Sequence, residues 1–237
     1  MTSGAASPSR RAVHAALHPL FLISALYALS YAIFAPAMFE HDGPTIGLAA
    51  FKAGPVLLLA ALATYSRSIL LGVGLLLGSI GDALLVWQST FVLGAVAFLA
   101  GHLCYITLFV RNGVGVRAAL ADRTRVSLLA VTVLAALAAS QMTPHDSPMM
   151  VPLSIYSGVL TLMLLSSYTL PWTRWVAIAG AVLFFISDGF VAWNTFHHDP
   201  DPALAFWRSF AGWMIYWAGQ AALCIGAQGL HQHARHP

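Results

Sequence analysis

Charge is the scarcest commodity in this 237-residue chain: Asp, Glu, Lys and Arg together make up 8% of it, against 59% hydrophobic residues. A water-soluble globule could not cover so much apolar surface. Cysteine is equally sparse. The two present, Cys104 and Cys224, have no CxxC or CxxH partner, which argues against a disulfide framework or a zinc ribbon and leaves packing as their role. The alternating segments of about ten residues that mark a membrane β-barrel are missing too. The spans contain no HxxxH or HxxE pair at metal-ligand spacing. The basic pI of about 9.1 reflects loop arginines facing anionic lipid, so no nucleic-acid partner is expected.

What remains is a series of long apolar runs, with a mean hydropathy of +0.78. About 20 residues of helix cross a hydrocarbon core about 30 Å thick. The runs predict an all-α polytopic bundle of eight transmembrane helices: Ala16 to Phe39, Thr45 to Tyr65, Ser68 to Trp87, Phe91 to Val110, Val126 to Met142, Met149 to Thr169, Trp172 to Phe196 and Ala205 to Ala227. Residues 1–15 and 228–237 flank this single 16–227 domain as cytoplasmic segments. Loops counted alternately put Arg10, Arg11, Arg67, Arg111, Arg117, Arg123, Arg125, Arg174 and Arg235 on one side, with Arg208 alone among acids on the other. The positive-inside rule then places both termini in the cytoplasm, and in a bacterium the protein belongs to the inner membrane. The first span is too long for a secretory h-region and is read as uncleaved.

Three charges fall inside the apolar runs: Lys52, Asp82 and Asp188. An ionisable group at bilayer depth costs at least about 2.5 kcal/mol and persists by facing a bundle interior or a polar cavity. Counted from Arg67 and Arg174, both aspartates lie roughly 21 to 23 Å above the cytoplasmic arginines, and Lys52 descends about 12 Å from the opposite loop. All three can therefore share one layer. The segments Ile80-Gly81-Asp82 to Trp87-Gln88 and Ile186-Ser187-Asp188 to Trp193-Asn194 also repeat one pattern on two parallel spans. This repetition predicts two parallel four-helix halves with the site at their interface.

These residues, with their neighbours, carry a family likeness. Lys52 and Pro55, Gly81-Asp82, then Phe91, Gly94, Phe98, His102 and Tyr105, then Tyr156, then Gly180, Phe184, Ser187, Asp188 and Ala192, and finally Tyr216 and Gln220 occur in an order and spacing that resembles the lysoplasmalogenase-like integral membrane hydrolases. The resemblance implies hydrolysis of the vinyl ether bond of a lysoplasmalogen held in the bilayer. The products are a fatty aldehyde and glycerophospho-ethanolamine or glycerophospho-choline, and no metal or redox cofactor is implied.

Vinyl ether hydrolysis needs a proton delivered to carbon and a stabilised oxocarbenium-like cation, work that two carboxyl groups can divide. Asp82 and Asp188 are the candidate catalytic pair. Lys52 either binds the lipid phosphate or holds the ionised aspartate. His102 with Tyr105, and Tyr216 with Gln220, share helix faces and are candidate substrate-binding residues, with Tyr156, Ser187 and Asn194 as further donors. Two other readings compete: a zinc site built from His102, Asp82 and Asp188, and a proton-coupled transporter using the same charges. The paired Gly/Pro breaks of discontinuous transporter helices are absent from the spans.

Overall fold

The computed structural model describes residues 18–140, 149–197, 201–228 and 230, all of them helix, turn or irregular backbone. Nine helices occur among these residues. They are α1 (Pro19–Asp42), α2 (Ile46–Tyr65), α3 (Ile69–Leu84), α4 (Phe91–Asn112), α5 (Val116–Ala121), α6 (Arg123–Ser140), α7 (Met150–Ser167), α8 (Trp175–Phe196) and α9 (Pro202–Gly226). The segment starts follow local capping chemistry. His18 Nδ1 accepts the Leu20 amide at 3.2 Å ahead of Pro19, and Thr45 Oγ1 accepts the Leu48 amide at 3.1 Å. Asp201 accepts the Ala203 amide at 2.9 Å in front of Pro202. Side-chain acceptors and an N1 proline satisfy or remove the orphan amides of a first turn.

Six helices or helix-plus-turn segments are long and apolar enough to cross a membrane, and α3 is a seventh apolar helix of only 16 residues. The protein is thus a helical, multi-pass membrane bundle. Several expected boundaries move. The third run ends at Leu84, three residues before Trp87, where Thr90 Oγ1 folds back to donate to the Leu84 carbonyl at 2.5 Å. The first helix continues through Glu40 to Asp42 before Gly43 turns the chain at φ 68°. Trp172–Arg174 forms a separate 3-10 turn ahead of α8, and the basic loop contains α5. Ala16, Met142, and the charges Arg10, Arg11, Asp146, Asp199 and Arg235 lie outside the described residues.

In the bundle, α1, α2, α3, α4, α7, α8 and α9 pack in sequence around a ring, and α9 closes it against α1, α2 and α3. Helix α6 packs on α7, and α5 packs on α6. The buried faces of two helix pairs recur position by position. Val56, Leu59, Ala60 and Ala63 on α2 match Leu160, Met163, Leu164 and Ser167 on α7 at constant spacing. Gly94, Phe98, Gly101 and His102 on α4 match Gly212, Tyr216, Gly219 and Gln220 on α9 in the same way.

Glycine sets the closest approaches. A Cβ on Gly101 would stand 3.0 Å from the Gly74 carbonyl oxygen, and one on Gly219 would stand 3.1 Å from the Gly180 carbonyl oxygen. So α3 against α4, and α8 against α9, touch backbone to backbone at equivalent places.

Two arginines expected in open loops are buried instead. Arg125 is 4% exposed: its Nε donates to Asp122 Oδ2 at 3.2 Å, Nη1 donates to the Tyr168 carbonyl, and the guanidinium lies 4.6 Å from the Trp172 ring centroid. Arg174 donates to the Gln228 and Gly226 carbonyls at 3.1 and 3.4 Å, satisfying orphan acceptors at the end of α9.

Candidate active site

A cavity of about 890 Å³ occupies the end of the bundle formed by the C-terminal halves of α1, α3, α6 and α8 and the N-terminal halves of α2, α4, α7 and α9. That is the size of a site for a drug-sized or lipid-like molecule. Its wall is mainly apolar. Lys52, the only lysine in the chain, lines it together with Asp82 and Asp188. The three charges expected to share a layer therefore line one cavity.

Local sequence explains how they are held. Pro55, one turn beyond Lys52, supplies no amide and leaves the Phe51 carbonyl without its helical donor. Around this break Ser24 Oγ donates to the Pro55 carbonyl at 2.7 Å and Ser79 Oγ donates to the Ala53 carbonyl at 3.0 Å. The second bond ties α2 beside Lys52 to α3 one turn before Asp82. Gly78 and Gly81 let Phe98 and Gln220 lie against α3, since a Cβ on either would meet them at 2.6 to 2.9 Å.

Each carboxylate is held by a tyrosine from a different helix. Tyr216 on α9 donates to Asp82 Oδ2 at 2.7 Å, and Tyr156 on α7 donates to Asp188 Oδ2 at 2.5 Å. Behind Tyr216, Gln220 Nε2 donates to the phenol oxygen at 3.2 Å while its Oε1 accepts from the Tyr105 hydroxyl at 2.9 Å. Behind Tyr156, His102 Nε2 lies 3.3 Å from the phenol oxygen, and His102 Nδ1 is buried without a hydrogen-bond partner. Phe184 stacks edge-on to both His102 and Tyr216, at 4.9 and 5.4 Å between ring centroids, and so separates the two branches.

The remaining sequence candidates spread outward from this centre. Tyr105, His102 and Gln220 are about 1% exposed and stand behind the cavity wall, not on it. Ser187 reaches the wall, but its hydroxyl donates to the Phe184 carbonyl of its own helix at 2.6 Å. Asn194 lies toward the outer end, where its Oδ1 accepts from Arg208 Nε at 2.5 Å. Two wall residues carry no signal in the sequence: Tyr31 and Trp213, whose rings lie 4.5 Å apart. Nothing in their local sequence distinguishes them from the other aromatics of the spans. Among the described residues no three His, Cys, Asp or Glu side chains are grouped closely enough to hold a metal ion.

Fold and site together define an integral membrane helical bundle with a large, mostly apolar cavity whose polar end is a tyrosine-held aspartate pair and one lysine. The chain belongs to the YhhN family, whose profile matches residues 48–227. It is 31% identical to the lysoplasmalogenase TMEM86B of Mus musculus over 229 residues, 92% of this chain and 89% of that protein. It is also 32% identical to a lysoplasmalogenase of Mycobacterium tuberculosis over 200 residues, 78% of this chain and 74% of that protein. No solved structure matches the chain.

Proposed function

We propose that this protein hydrolyses the vinyl ether bond of a lysoplasmalogen, releasing a fatty aldehyde and a glycerophospho-ethanolamine or glycerophospho-choline. The observation that carries this reading is the pair of tyrosine-held carboxyl groups facing one lipid-sized, largely apolar cavity. Relatives over most of the chain are lysoplasmalogenases by name, which supports the same substrate class and gives no support to a transporter. The apolar wall suits the alkenyl chain. One carboxylic acid protonates the vinyl carbon distal to the ether oxygen, and the other carboxylate stabilises the resulting cation and deprotonates the attacking water. Lys52, at the same end of the cavity, supplies positive charge for the lipid phosphate or for an ionised aspartate.

The full architecture belongs to this proposal. Eight spans follow if α3 and α9 cross the bilayer beside the six long apolar helices. Packing supports this, since both lie within the ring. The matching buried faces of α2 with α7 and of α4 with α9 support a duplication of two parallel four-helix halves. Both termini then lie on the arginine-rich side.

The test is aldehyde release by purified protein in detergent, with and without a chelator. Intact protein is expected to be active and chelator-resistant. Folded Asp82→Asn and Asp188→Asn are each expected to lose about 100-fold or more, the scale of a general acid–base contribution. An Asn variant that keeps most of its activity rejects the two-carboxylate scheme, and chelator-sensitive activity would revive a metal site.

A further inference from the structure

The two aspartates occupy equivalent places in the two halves, yet their surroundings are unlike. At the position where α2 presents Lys52 on Asp82's side, α7 presents Tyr156. Where α9 offers the Tyr216 hydroxyl to Asp82, α4 offers the apolar ring of Phe98. Behind the phenols, Gln220 in one half stands where His102 stands in the other.

These exchanges act on proton placement. The Gln220 amide is pinned: Tyr105 donates to its Oε1, so its Nε2 donates to Tyr216, and Tyr216 is left to donate to Asp82. That chain runs one way and ends on an acceptor, and Lys52 adds a positive charge nearby. A donor chain of this kind, strengthened along its length, favours a carboxylate anion. The other branch is reversible. Tyr156 donates to Asp188 Oδ2, His102 Nε2 lies 3.3 Å from the phenol oxygen and can donate to it or accept from it according to the tautomer, and no partner at the buried Nδ1 fixes which tautomer is held. In the Nδ1–H tautomer, Nε2 accepts from Tyr156, and the phenol oxygen accepts from a protonated Asp188. A group that must both hold and release a proton needs such a two-way partner.

Building on the hydrolase reading, we infer that Asp188 is the general acid, with Tyr156 and His102 as its positioning residues, and that Asp82, beside Lys52 and Tyr216, is the ionised carboxylate. Asp188 gives its proton to the vinyl carbon distal to the ether oxygen, the C=C π pair forms the new C–H bond, and the adjacent carbon becomes an oxocarbenium facing Asp82. Water attacks that carbon and passes one proton to Asp82, forming a hemiacetal. The hemiacetal hydroxyl then returns its proton to Asp188 as the C=O bond forms. Asp82 passes its proton to the departing glycerol oxygen as the C–O bond breaks, and both groups are reset.

Infrared spectroscopy of the purified protein in H₂O and D₂O tests the assignment without turnover. Intact protein is expected to show the deuterium-sensitive carbonyl band of a protonated carboxylic acid. The band is lost in Asp188→Asn, kept in Asp82→Asn and displaced in Tyr156→Phe. A band lost in Asp82→Asn and kept in Asp188→Asn overturns the assignment, as does an intact protein with no such band. The kinetic arm uses lysoplasmalogen: His102→Phe is expected to lower kcat about tenfold with KM held within about twofold, and His102→Gln, which can still donate to Tyr156, to recover part of the loss. An unchanged kcat in folded His102→Phe overturns the positioning role. Protein that shows the Asp188 band and releases no aldehyde upholds the proton assignment and rejects the hydrolase reading.

Discussion

An ionisable residue inside an apolar run carries its own explanation, because placing it in the membrane costs several kcal/mol. That is why Lys52, Asp82 and Asp188 stand out in the amino-acid sequence alone. The buried pair Arg125 and Arg174 do not, since an arginine at a span end satisfies the positive-inside rule whether it is solvated or packed. Arg125 closes a cluster with Asp122, Trp172 and the Tyr168 carbonyl. Removing it by Arg125→Met leaves the buried Tyr168 carbonyl without that donor, and the expected loss is about 1 to 3 kcal/mol, read as a lower melting temperature in detergent. Asp122 is held below the ordinary carboxylate range, first by the Trp172 indole N–H and then by donors from Arg125 and Thr124. A depressed carboxylate stabilises the fold above its unfolded value, about 3.9, and ceases to do so as pH falls through the lower folded value. The melting gap between intact protein and Asp122→Asn is therefore expected to be full at neutral pH and to close on strong acidification. A gap that widens on acidification contradicts the cluster.

At the scale of the element, helix existence is readable from apolar length, and boundaries are not. Trp87 looks like the end of a span, yet a turn beginning at Leu85 ends α3 early, because the Thr90 hydroxyl competes for the Leu84 carbonyl. Glycines show what pattern alone conceals. Gly219 meets the Phe184 amide nitrogen at 2.9 Å from a would-be Cβ, whereas Gly158 and Gly189 face open space within 4 Å. Gly219→Ala is expected to destabilise the bundle by about 1 to 3 kcal/mol, as overpacking does, while Gly158→Ala and Gly189→Ala leave the melting temperature unchanged or raised. Thermal unfolding of the three variants side by side decides it, and an undisturbed Gly219→Ala would show that α8 and α9 can separate without cost.

For the whole molecule, the proposed eight spans predict that reporters fused at residue 1 and residue 237 both read as cytoplasmic, and that one inserted near residue 145 reads on the opposite side. A C-terminal reporter active only outside the cytoplasm would remove one span from the count. The candidate site shows the same division. Lys52 and the two aspartates are assigned one depth by counting residues along helices, which only needs the rise of an α-helix. The partnership of Tyr216 with Asp82 spans 134 positions and that of Tyr156 with Asp188 spans 32, and no spacing rule connects them. By itself the sequence determined the membrane class, the run of helices and the costly charges, because each follows from local composition and the energetics of the bilayer. Only the tertiary structure decided which tyrosine holds which aspartate, that His102 and Gln220 stand behind the wall, and that two loop arginines are buried. Those depend on which helix faces meet, and in an apolar bundle packing and a few hydrogen bonds choose the faces.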